Sequence, residues 1–147
     1  MKTLIQHINE WKLNKNDLLS RKTYHPTSYV ELKNIVNSIY KHTHNHRYID
    51  CNDIDISKVD TFGDTVDGKY GLFSDFTYVE TIDISSWDMS HIKDMRYMFY
   101  RCKRLRKIKG IENFDPSKIT NDLCMFAGCD DSVIPDWYKN KRNTSSI

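Results

Sequence analysis

Apolar and polar positions along the chain fall into three near-copies of one frame. Within residues 49–59, 82–92 and 109–119, Cys51-x-x-Ile54-Asp55-x-Ser57-x-Val59 lines up with Ile84-x-x-Trp87-Asp88-x-Ser90-x-Ile92 and with Ile111-x-x-Phe114-Asp115-x-Ser117-x-Ile119. In the second copy Ile82 and Ile84 alternate with polar residues, which predicts a short strand with one buried face. Asp88 suits an Asx-type bond in the turn that follows, and Ser90 suits an N-cap. Met95, Met98, Phe99 and Cys102 then recur at i, i+3, i+4 and i+7, the spacing of one face of a two-turn helix. The third copy keeps Met125, Phe126 and Cys129 but places Asp122 where Met95 stands, so its helix should be more irregular. In the first, Phe62 takes the Met95 position, and a Gly- and Asp-rich insertion separates it from Leu72 and Phe73; this should be the largest exposed loop. Strand, turn and short helix recurring with a period in the twenties to thirties predict an α/β solenoid of about three units.

The segments around the repeats are helical or polar. Leu4, Ile5, Ile8 and Trp11 predict a short amphipathic helix, which either packs on its own domain or serves as a detachable targeting segment. Residues 14–26 read as a linker. Ser28 and Glu31 have capping-box spacing, and Tyr29, Leu32, Ile35, Val36, Ile39 and Tyr40 then form one apolar stripe. That stripe predicts a helix to about Lys41 that covers the open end of the repeat core. Histidines 42, 44 and 46 fall in a solvated loop, or chelate a metal if the segment is extended. Pro135, Trp137 and Tyr138 close the last unit. The expected organisation is 1–22 amphipathic helix and linker, 23–48 capping helix and His-rich loop, 49–138 repeats, and 139–147 a polar tail with little reason to be ordered.

Charge changes this picture by its distribution. Residues 1–49 carry eight Lys/Arg against three Asp/Glu, residues 50–95 three against eleven, and residues 96–147 eleven against six. The segments therefore alternate positive, negative, positive, a pattern that either serves a partner or reflects acidic turns lying near basic helices. The four cysteines include Cys51, Cys102 and Cys129 at positions where other copies carry aliphatic or matching cysteine residues, so they are expected as reduced, buried hydrophobes; no Cys-x-x-Cys pair suggests a metal site. No apolar run approaches the roughly 20 residues that span a bilayer, and the N-terminus lacks a secretory apolar region. The expected compartment is the cytoplasm, with no membrane partner.

Chemistry-bearing motifs are missing from the sequence. It contains no G-x-S-x-G, no phosphate-binding glycine loop and no H-E-x-x-H. Asp55, Asp88 and Asp115 recur with the repeat, which marks them as turn-formers, and the chain is expected to be neither an enzyme nor dependent on a cofactor. The densest charge feature is Arg101, Lys103, Arg104, Arg106, Lys107 and Lys109, beside Tyr97 and Tyr100. It reads as a solvated connection with Leu105 and Ile108 interleaved as core, as a surface for an acidic protein, or as a phosphate contact for nucleic acid.

Residues 83–102, Asp-Ile-Ser-Ser-Trp-Asp-Met-Ser-His-Ile-Lys-Asp-Met-Arg-Tyr-Met-Phe-Tyr-Arg-Cys, resemble the unit of the BspA-like leucine-rich-repeat family of bacterial surface lipoproteins and phage proteins. Residues 49–76 and 108–134 match it as degenerate copies. The resemblance implies a leucine-rich-repeat-like solenoid and no reaction, and the adhesive role of surface members does not transfer. Residues 1–10, Met-Lys-Thr-Leu-Ile-Gln-His-Ile-Asn-Glu, are similar to the capsid-targeting sequence of phage internal head proteins, with Ile8 and Glu10 at the spacing of the prohead-protease site and Leu4 and His7 in place of its aromatic residues. The expected function is a protein-binding module, a phage or mobile-element accessory protein that engages or inhibits a host or defence protein. Asp64, Asp67, Lys69 and Tyr70 of the inserted loop and the basic run are the expected contacts. A virion protein packaged through Leu4, Ile5, Ile8, Glu10 and Trp11 is the alternative, and nucleic-acid binding through 101–109 a further one.

Overall fold

The computed structural model describes residues 22–63 and 70–145. Its regular elements are helix α1 (Tyr29–His42), strands β1 (Tyr48–Asp50), β2 (Thr81–Asp83) and β3 (Lys107–Lys109), and helix α2 (Asp136–Ser145), with single 3-10 turns between them. The strands form one open parallel sheet in the order β1-β2-β3, with Ile49, Ile82 and Ile108 in register. All three isoleucines are buried.

This corrects the expected leucine-rich-repeat-like solenoid of strand-turn-helix units. Among the described residues the regular structure is a small three-stranded sheet with two α-helices, one before it and one after it, and no α-helix stands between the strands. The reason lies in where the backbone N–H groups of 95–102 go. Those of Met95, Tyr97, Phe99 and Arg101 donate to the carbonyls of Asn121, Leu123, Met125 and Ala127, while those of Met98, Tyr100 and Cys102 bond to the third residue back and that of Arg96 to the Asp94 carboxylate. An α-helix needs every N–H to reach four residues back. Tyr97 (φ 56°) and Arg101 (φ 62°) also sit in the left-handed region, which ends any right-handed helix. The spacing named the buried side chains correctly, for Met95, Met98, Phe99 and Cys102 are all inside, but it did not determine the backbone that buries them.

The same cross-bonding continues on the other side, where Phe62, Phe73 and Asp75 donate to Asp94, Met98 and Tyr100. Aromatic rings follow this ladder. Phe73 stacks on Phe99 at 5.6 Å, Phe99 on Phe126 at 5.3 Å, and Tyr138 of α2 closes the row edge-on at 5.0 Å from Phe126. The Cys102 thiol donates to the Phe73 carbonyl and that of Cys129 to the Phe99 carbonyl, both at 3.0 Å. Gly71 makes this approach possible, since a Cβ there would lie 2.4 Å from the carbonyl of Tyr97.

The helix α1 starts one hydrogen bond away from the expected capping box. Ser28 Oγ accepts from Glu31 N–H, but the Glu31 carboxylate takes the N–H (2.7 Å) and hydroxyl of Thr27 instead of Ser28 N–H. Leu32 and Val36 enter the core, and Tyr40 stacks on Phe76 at 4.3 Å. The polar tail expected over 139–147 is a correction: the chain turns helical at Asp136 and continues as α2 to Ser145, anchored by the buried Tyr138, whose hydroxyl donates to the Asp122 carbonyl. The amphipathic segment with Leu4, Ile5, Ile8, Glu10 and Trp11 lies outside the described residues.

Candidate functional site

Each repeat's aspartate builds a turn. The carboxylates of Asp55, Asp88 and Asp115 accept the N–H of Ser57, Ser90 and Ser117 at 2.9, 3.0 and 3.0 Å, as those of Asp50, Asp83 and Asp130 do for Asn52, Ser85 and Ser132. Burial pushes the Asp55 carboxyl upward, but hydrogen bonds from Ser57 and His25 outweigh it and leave the carboxyl below its ordinary value; bonds from Ser117 hold Asp115 low. These groups are occupied in shaping backbone, as the sequence indicated. His42 and His46 likewise place Nδ1 on the carbonyls of Ser38 and Tyr40.

Asp83 carries a heavier load. It stands in β2 between Asp50 and Lys109, 7 % exposed, and its carboxylate accepts from the Tyr48 hydroxyl at 2.7 Å and from the Ser85 hydroxyl and N–H at 2.7 and 3.1 Å. Lys109 Nζ lies 3.9 Å away and 5.3 Å from the Tyr48 ring centre. Desolvation raises this carboxyl, yet the bonds from Asn52, Ser85 and Tyr48 win and hold it far below the usual carboxylate range. The sequence reading missed this row because its members come from three different strands. The signal available was the Asp-x-Ser spacing of Asp83 and Ser85, which is that of the recurring turns.

The alternating charge of the chain resolves into neighbours. Arg47 pairs with Glu80 (3.7 Å), Arg101 with Asp75 (3.8 Å) and Arg106 with Asp130 (3.8 Å), so acidic and basic segments lie side by side. Of the basic run, Leu105 and Ile108 are core, as their interleaving suggested. Arg101 also lies over the Tyr100 ring, and Tyr100 meets Tyr97 edge-on at 5.2 Å. The Tyr97 phenol is raised, first by its hydrogen bond with Cys124. Arg104 lies 5.7 Å above the ring of Tyr78, a residue that is 56 % exposed and that the sequence reading did not select. Lys103 and Lys107 are exposed and make no ion pair among the described residues.

A separate cleft of about 470 Å³ runs beside α1, lined by Tyr29, Val30, Lys33, Asn37, Tyr70 and Asp75 among others. Lys33 is fixed there by bonds to the carbonyls of Gly71 and Leu72. Tyr70, expected as a contact, is on its rim, and Asp75 connects the cleft to Arg101. Asp64, Asp67 and Lys69 lie outside the described residues.

Residues 67–144 match a family model described as "Mycoplasma protein of unknown function, DUF285". The chain belongs to the DUF285 family. No curated protein and no solved structure matches it. The DUF285 match takes in β2, β3, the basic run and α2, and leaves α1 and β1 outside.

Four free thiols are present. Burial pushes those of Cys51 and Cys102 far above the ordinary thiol range, and that of Cys129 up to about 11. Such thiols are poor nucleophiles and poor metal ligands at neutral pH. Among the described residues no three His, Cys, Asp or Glu gather as for a metal ion, and no helix is long and apolar enough to cross a membrane.

Proposed function

We propose that this chain is a non-enzymatic protein-binding module acting in the cytoplasm, an accessory factor of phage or mobile-element origin that engages a host protein. The observation that carries the reading is the arginine and tyrosine surface around 97–107, where the exposed Arg104 lies over the exposed Tyr78 and the half-buried Tyr97 and Tyr100 meet edge-on. Tyrosine and arginine dominate binding hot spots because they offer large rigid area and directional donors at low entropic cost. The commitment of Asp55, Asp83, Asp88 and Asp115 to backbone turns supports a scaffold role for the carboxylates over a catalytic one. The virion reading draws its support from residues 1–10 and the nucleic-acid reading from the run 101–109. Affinity capture of the tagged chain from its native cell, with cross-linking and mass spectrometry, tests this: one enriched host protein is expected. Enrichment of capsid proteins, or of nucleic acid that survives physiological salt, overturns it.

A further inference from the structure

The six cations of the basic run are not equivalent. Arg101, Arg106 and Lys109 each face a carboxylate of the same chain, Asp75, Asp130 and Asp83, at 3.8 to 3.9 Å. Arg106 also points Nη1 at the Leu105 carbonyl, 3.1 Å away. Their charge is balanced at home. Lys103 and Lys107 have no such partner among the described residues, and Arg104 has only the face of an exposed tyrosine.

We infer that Lys103, Arg104 and Lys107, with Tyr78 as platform, form the docking patch for an acidic segment of a partner protein. The inference rests on the protein-binding reading above and names its contact. Lys103 and Arg104 sit on the connection that enters β3 and Lys107 is the first residue of that strand, where the N–H groups of Arg106 and Lys107 both donate to the Glu80 carbonyl, at 2.8 and 3.1 Å. The Arg104 guanidinium lies 5.7 Å over the Tyr78 ring, a contact that favours one orientation of its planar donor pair and so lowers the ordering cost of meeting a carboxylate bidentately. Charge complementarity selects the acidic occupant, and the carboxylates bordering the patch set its extent. Asp75, Glu80 and Asp130 flank it. A nucleic-acid strand brings one phosphate at every step and needs an uninterrupted basic track, whereas two or three carboxylates of a protein segment match three cations enclosed by acid.

The test compares two double variants with the same change in net charge, Lys103→Gln/Arg104→Gln and Arg101→Gln/Arg106→Gln, by fluorescence anisotropy. The probe is a short fluorescein-labelled peptide in which glutamates alternate with leucines, at physiological salt, and a labelled single-stranded DNA and a duplex serve as parallel probes. The first variant should weaken peptide binding by about tenfold or more and the second by less than about threefold. Tyr78→Ala should weaken it as well, while Tyr78→Phe, which keeps the ring, should not. Equal losses for both double variants would reduce the patch to net charge and overturn the assignment, as would tighter binding of either DNA probe or no binding of the peptide to the unaltered chain. Thermal melts of each variant separate lost binding from lost folding. Capturing the same host protein from cells with the first double variant distinguishes the two levels: undiminished capture sinks this patch and leaves the protein-binding reading standing, whereas no enriched protein with the unaltered chain sinks the reading itself.

Discussion

Two parallel ladders feed the same core, and they solve one bonding problem in different ways. The ladder through Ile49, Ile82 and Ile108 is a sheet, in which successive side chains alternate between core and surface. The ladder through Phe73, Phe99 and Phe126 bonds across to its neighbour at every second residue and turns back on itself at the others, with left-handed residues at Tyr97, Arg101 and Cys124. The sheet devotes its outer side to a fixed polar row around Asp83. The turn ladder puts tyrosines and arginines on its outer side and leaves part of them open. The difference shows that a parallel stack needs cross-bonding only at intervals, and that the turns between those intervals carry half-buried tyrosines beside exposed arginines on the outer side.

The sharpest way to break the comparison is at the centre of the aromatic row. Phe99→Ala removes a ring stacked on both sides and should destabilise the chain by about 3 to 5 kcal/mol in a denaturant titration. A loss below about 1 kcal/mol would mean that the turn ladder contributes little to the core.

On the sheet side, Asp83→Ala leaves the Tyr48 hydroxyl and Ser85 without their acceptor, and should cost about 2 to 3 kcal/mol. Because the folded carboxyl is held below its unfolded value, this stability is complete above about pH 4 and declines as the pH falls toward the folded value. The gap in melting temperature between the unaltered chain and Asp83→Asn should therefore narrow on acidification. A gap that widens below pH 4 would contradict the sign.

Gly71→Ala tests the close approach of the two strips on the turn side. A methyl group there must displace the Tyr97 backbone, at a cost of about 1 to 3 kcal/mol by thermal melting. The smallest effect belongs to Arg101, at φ 62° with an exposed ion pair. Arg101→Gly should stay within about 0.5 kcal/mol, since surface pairs contribute little and glycine relieves the left-handed strain. Arg101→Val should lose about 1 kcal/mol, because a β-branched side chain is more strained in that region than the unbranched arginine. Equal melting temperatures for the two would place Arg101 outside the left-handed region.

Which parts were legible from sequence follows from the same contrast. The helix over 29–42, the buried positions of the first two copies and most of those of the third, where Ile111 and Cys129 are only partly buried, the Asp-x-Ser turns and the in-register match of Phe62 with Met95 could be read because they depend on local spacing or on one copy aligning with the next. The turn ladder could not, because i, i+3, i+4 and i+7 spacing describes which side chains face inward and is shared by a helix and by turns that bond sideways. The Asp83 row and the pairing of Arg101 with Asp75 escaped because they join distant residues. The helix over 136–145 escaped because its sequence is polar beyond Trp137 and Tyr138, the two residues that pack it on the core, and because the acids that pair with Lys139 and Lys141 stand elsewhere in the chain. Within the candidate surface the run 101–107 was visible as charge, but its division into balanced and open cations required knowing which acids stand opposite.

The parallel pairing of Ile49 with Ile82 and Ile82 with Ile108 also has a kinetic side. Among the described residues the three strands pair only in parallel, so no hairpin joins one to the next, and each contact between them closes a long loop of chain before it gains a single hydrogen bond. Chains built from such non-local contacts fold in milliseconds to seconds, slower than helical proteins of equal size. In the sheet order β3 is an edge, and the lysines at 107 and 109 that flank Ile108 are charges of the kind that discourages one chain's open edge from pairing with the next.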